Sequence, residues 1–295
     1  MKTLFNLFFS LSLVLLISSY SEPNHAFLKS NNFRDFKSDD VNESSDWKLA
    51  VQTYTLNRFT FEEALDKIQV GGFKYVEAYP GQDFGAGIEG KTHFSMDGSK
   101  RDKMKEMLDS RGLKLINYGV VKCKSAEEWK QVFEFASAMG IETITAEPLS
   151  EHLNLIDQMA NEYGINIAIH NHPSPSSYFH PDSVLNALNG KSDRLGACAD
   201  VGHWIRSGLE PVECLKKLQG KIISLHFKDL NEKSREAHDV VWGTGVVGVE
   251  AVLKELKSQN FKGVFTIEYE YNWDNNMPEV IESAEYFNQI VKKLK

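Results

Sequence analysis

The chain has 295 residues, 42% of them hydrophobic and 25% charged, with a formal net charge of -8. That composition describes a soluble globular protein large enough for one sizeable core or two small ones. The acidic balance argues against a nucleic-acid surface, which is built from clustered Lys and Arg. Cys123, Cys198 and Cys214 are an odd number without a CxxC pair, so no disulfide is demanded and Cys198, inside an apolar run, reads as a small buried thiol.

The chain begins with Lys2, an apolar run over 4–17 and then Ser18-Ser19-Tyr20-Ser21. That is the order of a secretory signal, and the run is too short for a comfortable membrane span. Residues 1–21 are therefore expected to be a signal peptide, 22–46 a polar flexible linker and 47–295 the folded domain. The implied location is exported and periplasmic, with no stable membrane span once the signal is cleaved.

From residue 47 the pattern is strand then helix, repeated. Strands are predicted over 48–55, 74–79, 113–121, 143–146, 166–169, 195–200, 222–225 and 263–267. Helices are predicted over 59–72, 101–111, 125–138, 151–163, 181–188, 211–218, 249–257 and 278–294. Thr60 and Ser125 stand at helix starts as N-caps, and Gly71-Gly72 and Gly140 stand at helix ends. A Gly-rich loop separates the second strand from its helix.

Near-continuous apolar strands alternating with helices indicate parallel strands buried on both faces. Eight such pairs in this length predict an α/β fold of the (β/α)8 TIM-barrel class. A doubly wound open sheet is the alternative, but no GxGxxG follows the first strand.

Active sites of such barrels lie at the C-terminal strand ends. Those ends read Glu147; His170 and His172; Asp200 and His203; His226, Lys228 and Asp229; Glu268 and Glu270. Taken singly, each has an ordinary structural explanation: Asp200 as a helix cap, Asp229 as a partner of Lys228, Glu270 as an exposed residue. Their convergence on one bowl suggests more. Mixed oxygen and nitrogen donors suit Mn²⁺, Mg²⁺, Co²⁺ or Zn²⁺, and one divalent ion would keep such crowded acids ionised. His93 and His180 fall in loops and His152 on a helix face, away from this convergence.

Four pieces carry a resemblance: Asp200-Val-Gly-His203, His226-Phe-Lys-Asp229, Gly243-Thr-Gly245 and Ile267-Glu268. From Trp47 onward the chain resembles the xylose isomerase-like TIM-barrel superfamily, which includes sugar isomerases and epimerases, inosose dehydratases and endonuclease IV enzymes. The resemblance implies a divalent metal held by a Glu, an Asp, a His and a second Glu, with Asp200, His226 and Glu268 in three places. The fourth residue usually belongs to the fifth strand within Glu-Asn-His, where this chain reads His170-Asn171-His172. Glu147, at the end of the neighbouring strand, is the expected replacement because it preserves the ligand charge, with His170 as the alternative.

The chemistry implied is metal-dependent isomerisation or epimerisation of a keto or open-chain sugar, by removal of a proton beside a carbonyl. Glu147 and Glu268 are the expected acid and base, and Lys228 steadies the developing oxyanion. His170, His172, His203, Trp204 and Tyr54 are expected to bind substrate, with Tyr79 and Trp242 as further walls. A keto-sugar or keto-glycoside lyase or dehydratase would use the same site, and export to free sugars and glycosides favours it. The only partner expected beyond a small sugar is a second copy in a homodimer, on resemblance alone.

Overall fold

The structure is a computed structural model and describes residues 47–294. The signal peptide expected over 1–21 and the linker expected over 22–46 lie outside the described residues. Eight strands form the sheet: β1 (Trp47–Gln52), β2 (Tyr75–Ala78), β3 (Lys114–Val121), β4 (Thr143–Ala146), β5 (Asn166–His170), β6 (Leu195–Asp200), β7 (Ile222–Phe227) and β8 (Gly263–Ile267). They pair in parallel, each with its sequence neighbours, and β1 closes the ring on β8, with Trp47 opposite Gly263 and Val51 opposite Ile267. The barrel is closed, so the sheet has no open edge.

Around it run α1 (Phe61–Val70), α2 (Gly98–Asp109), α3 (Ala126–Met139), α4 (Leu153–Tyr163), α5 (Pro181–Leu188), α6 (Val201–Arg206), α7 (Pro211–Lys217), α8 (Val249–Ser258) and α9 (Met277–Lys293). Local chemistry explains their limits. In α1 the Thr60 hydroxyl accepts from the Glu63 N–H while the Glu63 carboxylate accepts from the Thr60 N–H, a capping box. The same helix buries Phe61, Ala64, Leu65 and Ile68, one face at helical spacing. Gly140 ends α3 at φ 70°, in the left-handed region that favours glycine.

Three local features differ from the sequence reading. β1 stops at Gln52, because the Gln52 side chain accepts from the Tyr54 N–H and starts a 3₁₀ turn over Thr53–Leu56. The Gly-rich loop after β2 contains a small hairpin, Asp83–Gly85 against Ile88–Lys91. A separate short helix, α6, begins directly after Asp200, which caps it by accepting from the His203 N–H at 2.7 Å.

Most of the apolar core lies between barrel and helices, where Trp47, Phe227, Trp242, Phe265 and Phe287 form one packed aromatic group. Inside the barrel the character changes along the axis. Ala50, Ile116 and Val264 make an apolar floor. Two residues further along the strands, Gln52 and Thr266 are polar and buried, together with Glu77, Asn117, Thr145 and Ser224. The period of two along each strand carries this polarity up to the mouth, as in Val264, Thr266 and Glu268. All three cysteines are free and buried. Among the described residues no helix is long and apolar enough to cross a membrane.

Asp229 holds the Gly-x-Gly loop. Its carboxylate accepts from the N–H groups of Gly243 at 2.9 Å and of Gly245, Val247 and Leu230 at 3.0 Å. A Cβ at position 245 would lie 2.3 Å from the Leu230 carbonyl oxygen, so only glycine fits against this carboxylate. Asp229→Ala is expected to cost about 3 kcal/mol by orphaning these amides. Urea unfolding of the variant beside the wild type checks it, and an unchanged midpoint would dismiss the anchoring role.

Candidate metal centre and active site

The strand ends bring four donors together at the mouth. One ligand atom each from His170, Asp200, His226 and Glu268 lie within 4.8 Å of one another, and all four residues are buried. His170 ends β5, Asp200 ends β6, His226 is the penultimate residue of β7, and Glu268 follows β8. Their side chains point inward because alternate strand residues face the lumen.

Several buried atoms here lack a hydrogen-bond partner. Neither ring nitrogen of His170 is bonded, and Asp200 Oδ2 accepts no well-aligned hydrogen bond although it forms an ion pair with Lys228 Nζ at 3.1 Å. His170 Nε2 lies 3.5 Å from Asp200 Oδ2, and His226 Nδ1 lies 3.1 Å from Glu268 Oε2. Buried polar atoms are rarely left unpaired. Two imidazoles and two carboxylates converging here, with His170 and Asp200 Oδ2 lacking hydrogen bonds, are a donor set that suits a divalent cation, so these four residues can hold one.

His170, the alternative fourth donor, falls within this group, whereas Glu147, the expected one, does not. Glu147 lies on the far side of the His170 ring, with Oε1 3.7 Å from His170 Nδ1. It belongs to a second group with His170 and His172. Its Oε1 is hydrogen-bonded to His172 Nδ1 and accepts from the Ser176 hydroxyl at 3.4 Å, while Oε2 pairs with Lys122 Nζ at 2.8 Å. Burial alone would raise the Glu147 carboxyl; the adjoining His170, His172 and Lys122 outweigh it and hold it far below the usual carboxylate range.

Lys228 is fully buried, and Nζ reaches Glu268 and Glu270 at 2.9 Å and Asp200 at 3.1 Å. Burial would lower its value, but Asp200, Glu268 and Glu270 push it well above that of an ordinary lysine, so it is charged. Burial pushes His203 well below the usual imidazole value. Arg206 Nη1, which can only donate, sits 3.2 Å from His203 Nδ1, so the neutral ring carries its proton on Nε2. Arg206 also donates to Asp239 Oδ1 at 2.9 Å and Glu270 Oε2 at 3.2 Å. Burial pushes the Asp239 carboxyl up to about 7.

A cavity of about 280 Å³ opens over the cluster, and Tyr54, Tyr79, Lys122, His172, His203 and Glu268 stand in its wall. Tyr54 is 39% exposed and meets Tyr79 edge-on at 5.1 Å. Trp204, expected against a sugar ring, is buried and absent from this wall. Trp242 is also in the core, packed edge-on against Phe227 at 4.7 Å. Of the outlying histidines, His93 bonds Ser95, His180 caps α5, and His152 accepts from Trp129 Nε1 at 3.2 Å.

Three residues of this site escaped the sequence reading. Glu77, on β2, is fully buried beneath His226 and accepts from His226 Nε2 at 2.9 Å, from Thr145 and Thr266 hydroxyls at 2.7 Å, and from Asn117 Nδ2 at 3.3 Å. Burial would raise its carboxyl, but His226 and the two threonines hold it below the ordinary value. Its signal was an acid inside an otherwise apolar strand. Arg206 lies three residues beyond His203 on α6, while Asp239 carries no sequence signal.

Gly202 has a steric role at the site. A Cβ there would lie 2.4 Å from Lys228 Cγ and 2.8 Å from Cδ. Gly202→Ala should therefore displace the ammonium group and lower turnover about a hundredfold, as misplacement by an ångström can. Steady-state rates with the wild-type metal content restored check this; an unchanged rate would remove Lys228 from the working site.

The chain can now be set beside known proteins. It is 24% identical over 282 residues to an inosose dehydratase of Clostridium botulinum (strain Alaska E43 / Type E3), covering 77% of this chain and 86% of the relative. A crystal structure of an uncharacterized protein from Parabacteroides distasonis ATCC 8503 is 35% identical, covers 83% of this chain and 99% of its own, and superposes with a TM-score of 0.69. A D-tagatose 3-epimerase-like protein, 20% identical over 84% of this chain and 98% of its own, has the same fold with a TM-score of 0.65. Residues 65–290, from within α1 to within α9, match the xylose isomerase-like TIM barrel family as a whole, and the chain belongs to that family.

Proposed function

We propose that the protein is a divalent-metal-dependent enzyme that removes a proton beside the carbonyl of a keto sugar and then expels a β-leaving group, a lyase or dehydratase. The carrying observation is the buried group of His170, Asp200, His226 and Glu268 under a cavity walled by His172. A bound Mn²⁺, Mg²⁺, Co²⁺ or Zn²⁺ would supply Lewis-acid polarisation of the carbonyl oxygen.

The chain's own groups do the rest. Lys228, expected to steady the oxyanion directly, is instead buried outside the cavity wall with its ammonium shared among Asp200, Glu268 and Glu270, so its part is to hold those carboxylates in place. Glu268 faces the cavity as a carboxylate and can take a proton. Because His172 Nδ1 is engaged by Glu147, Nε2 is the nitrogen left to meet substrate, so the pair can hold or move a proton there. An imidazole oriented by a carboxylate is placed to hand a proton to a leaving oxygen. The likeness to an inosose dehydratase supports this reading. An exported location, argued from Lys2 and the apolar run over 4–17, belongs to the same proposal.

Isomerisation or epimerisation is the second reading. It uses the same two proton carriers, with the proton returned to carbon instead of the carbon–oxygen bond breaking. Proton NMR in D₂O separates the two on metal-loaded protein offered free keto sugars and 3-keto-glycosides. An unsaturated product with released water or aglycone is expected; deuterium beside the carbonyl in an intact skeleton would favour the epimerase. Bound metal with neither exchange nor elimination would overturn both.

A further inference from the structure

The loops after β1, β7 and β8 and the start of α9 line a second, open cavity on the same rim of the barrel, about 710 Å³ against about 280 Å³ for the first. Arg58, His238, Tyr271, Trp273 and Glu279 stand in its wall. Its size lies within the roughly 300–1,000 Å³ of ordinary small-molecule sites, while the first cavity is small for anything beyond one sugar ring.

The two cavities are neighbours joined by named groups. Trp273, in the wall of the second, meets Tyr54, in the wall of the first, edge-on at 5.9 Å. Asp239 of the second cavity binds Arg206, which in turn reaches Glu270 and His203 of the first.

The wall chemistry is that of a carbohydrate platform. Tyr271 is 47% exposed, with one face covered by the His238 ring at 4.3 Å, which holds its orientation. An aromatic face held this way takes the C–H face of a sugar ring, with polar groups beside it for the hydroxyls. Glu279 binds Asn272 Nδ2 at 2.7 Å through Oε1, but its Oε2 is buried without a hydrogen-bond partner. Arg58 is exposed and forms no hydrogen bond or ion pair among the described residues. Arg58 thus brings one unused set of donors to the same wall as the ring, while the buried Glu279 oxygen is closed off.

We infer that this second cavity binds the second ring of a glycoside whose keto-sugar ring occupies the first cavity, so that the substrate is a disaccharide-sized keto-glycoside. The glycosidic bond passes over the Tyr54–Trp273 edge. This rests on the reading of the first cavity as a keto-sugar site.

Two measurements on the metal-loaded full chain test it. In the first, kcat/KM is compared for 3-keto-cellobiose and 3-keto-glucose in wild type and Tyr271→Ala. A fall of about tenfold or more with the disaccharide and a change within about twofold with the monosaccharide is expected. Equal change for both sugars, or none, would overturn the subsite. In the second, saturation-transfer NMR uses unreactive cellobiose. Transfer to both rings in wild type, reduced at one ring in Tyr271→Ala and Arg58→Ala, is expected; transfer confined to one ring in wild type would overturn it. If no keto sugar turns over but the two-ring transfer depends on Tyr271, the catalytic reading fails and the subsite stands.

Discussion

Asp200→Asn should give a folded barrel that no longer retains a divalent cation. The substitution keeps the oxygen that accepts from the His203 N–H at 2.7 Å, so the cap of α6 survives. It replaces Oδ2, the atom 3.1 Å from Lys228 Nζ and 3.5 Å from His170 Nε2, by an amide group without charge or free lone pairs. Metal affinity is expected to fall by more than about a hundredfold, beyond what loss of an outer partner costs. Turnover falls with it, while apo stability drops by only about 1–3 kcal/mol because Lys228 keeps Glu268 and Glu270. Titration against a metal indicator reads the first quantity and urea unfolding the second. Glu147→Gln is the contrasting variant: affinity within about threefold, and a rate lowered about 10²–10⁴-fold if Glu147 backs a proton carrier. The reverse pattern, with metal lost in the glutamine variant and kept in the asparagine one, would return Glu147 to the ligand set and remove Asp200 from it.

Glu77→Ala carries the largest expected loss of stability. The substitution strands His226 Nε2 and the hydroxyls of Thr145 and Thr266, each now bonded to the Glu77 carboxylate. Breaking such a buried charged network costs about 3–5 kcal/mol. With its back nitrogen unheld, His226 also binds metal more weakly, by about 10–100-fold. Glu77→Gln keeps one acceptor and the shape, so it should fall between wild type and alanine on both scales. Denaturant unfolding of the apo protein, paired with metal titration, checks the two effects separately. An alanine variant within 1 kcal/mol of wild type, taken as roughly the span of a single hydrogen bond, would show that the lumen tolerates the loss and that the hub is incidental.

The barrel was legible because its signals are local and repeated. Apolar runs, caps such as Thr60 and Ser125, and stops such as Gly140 each act within a few residues, and an apolar run recurs at every strand of the barrel. The strand-end donors could be read for the same reason: Asp200, His226 and Glu268 follow directly from where each apolar run ends. The choice between Glu147 and His170 was not legible, because it depends on which side of an imidazole ring a neighbouring strand's carboxylate falls. Glu77 was missed because strands buried on both faces read as continuous runs, and its partners Thr145, His226 and Thr266 lie 68, 149 and 189 residues away. Trp204 and Trp242 were expected at a sugar ring because residue type suggests a wall, but only packing decides which face of a barrel a tryptophan serves.

Closure of the ring also bears on the order of assembly. The Trp47 indole N–H donates to the Phe261 carbonyl across 214 residues, so β1 waits for nearly the whole domain before it gains its second neighbour. Contacts of such separation form late and slowly, since the entropy of a long loop must be overcome first. Glu268 lies one residue beyond β8, the strand on which β1 closes the ring. A partly folded chain is therefore expected to bring His170, Asp200 and His226 together before Glu268 joins them, so any divalent cation these four residues hold would be taken up after folding rather than drive it.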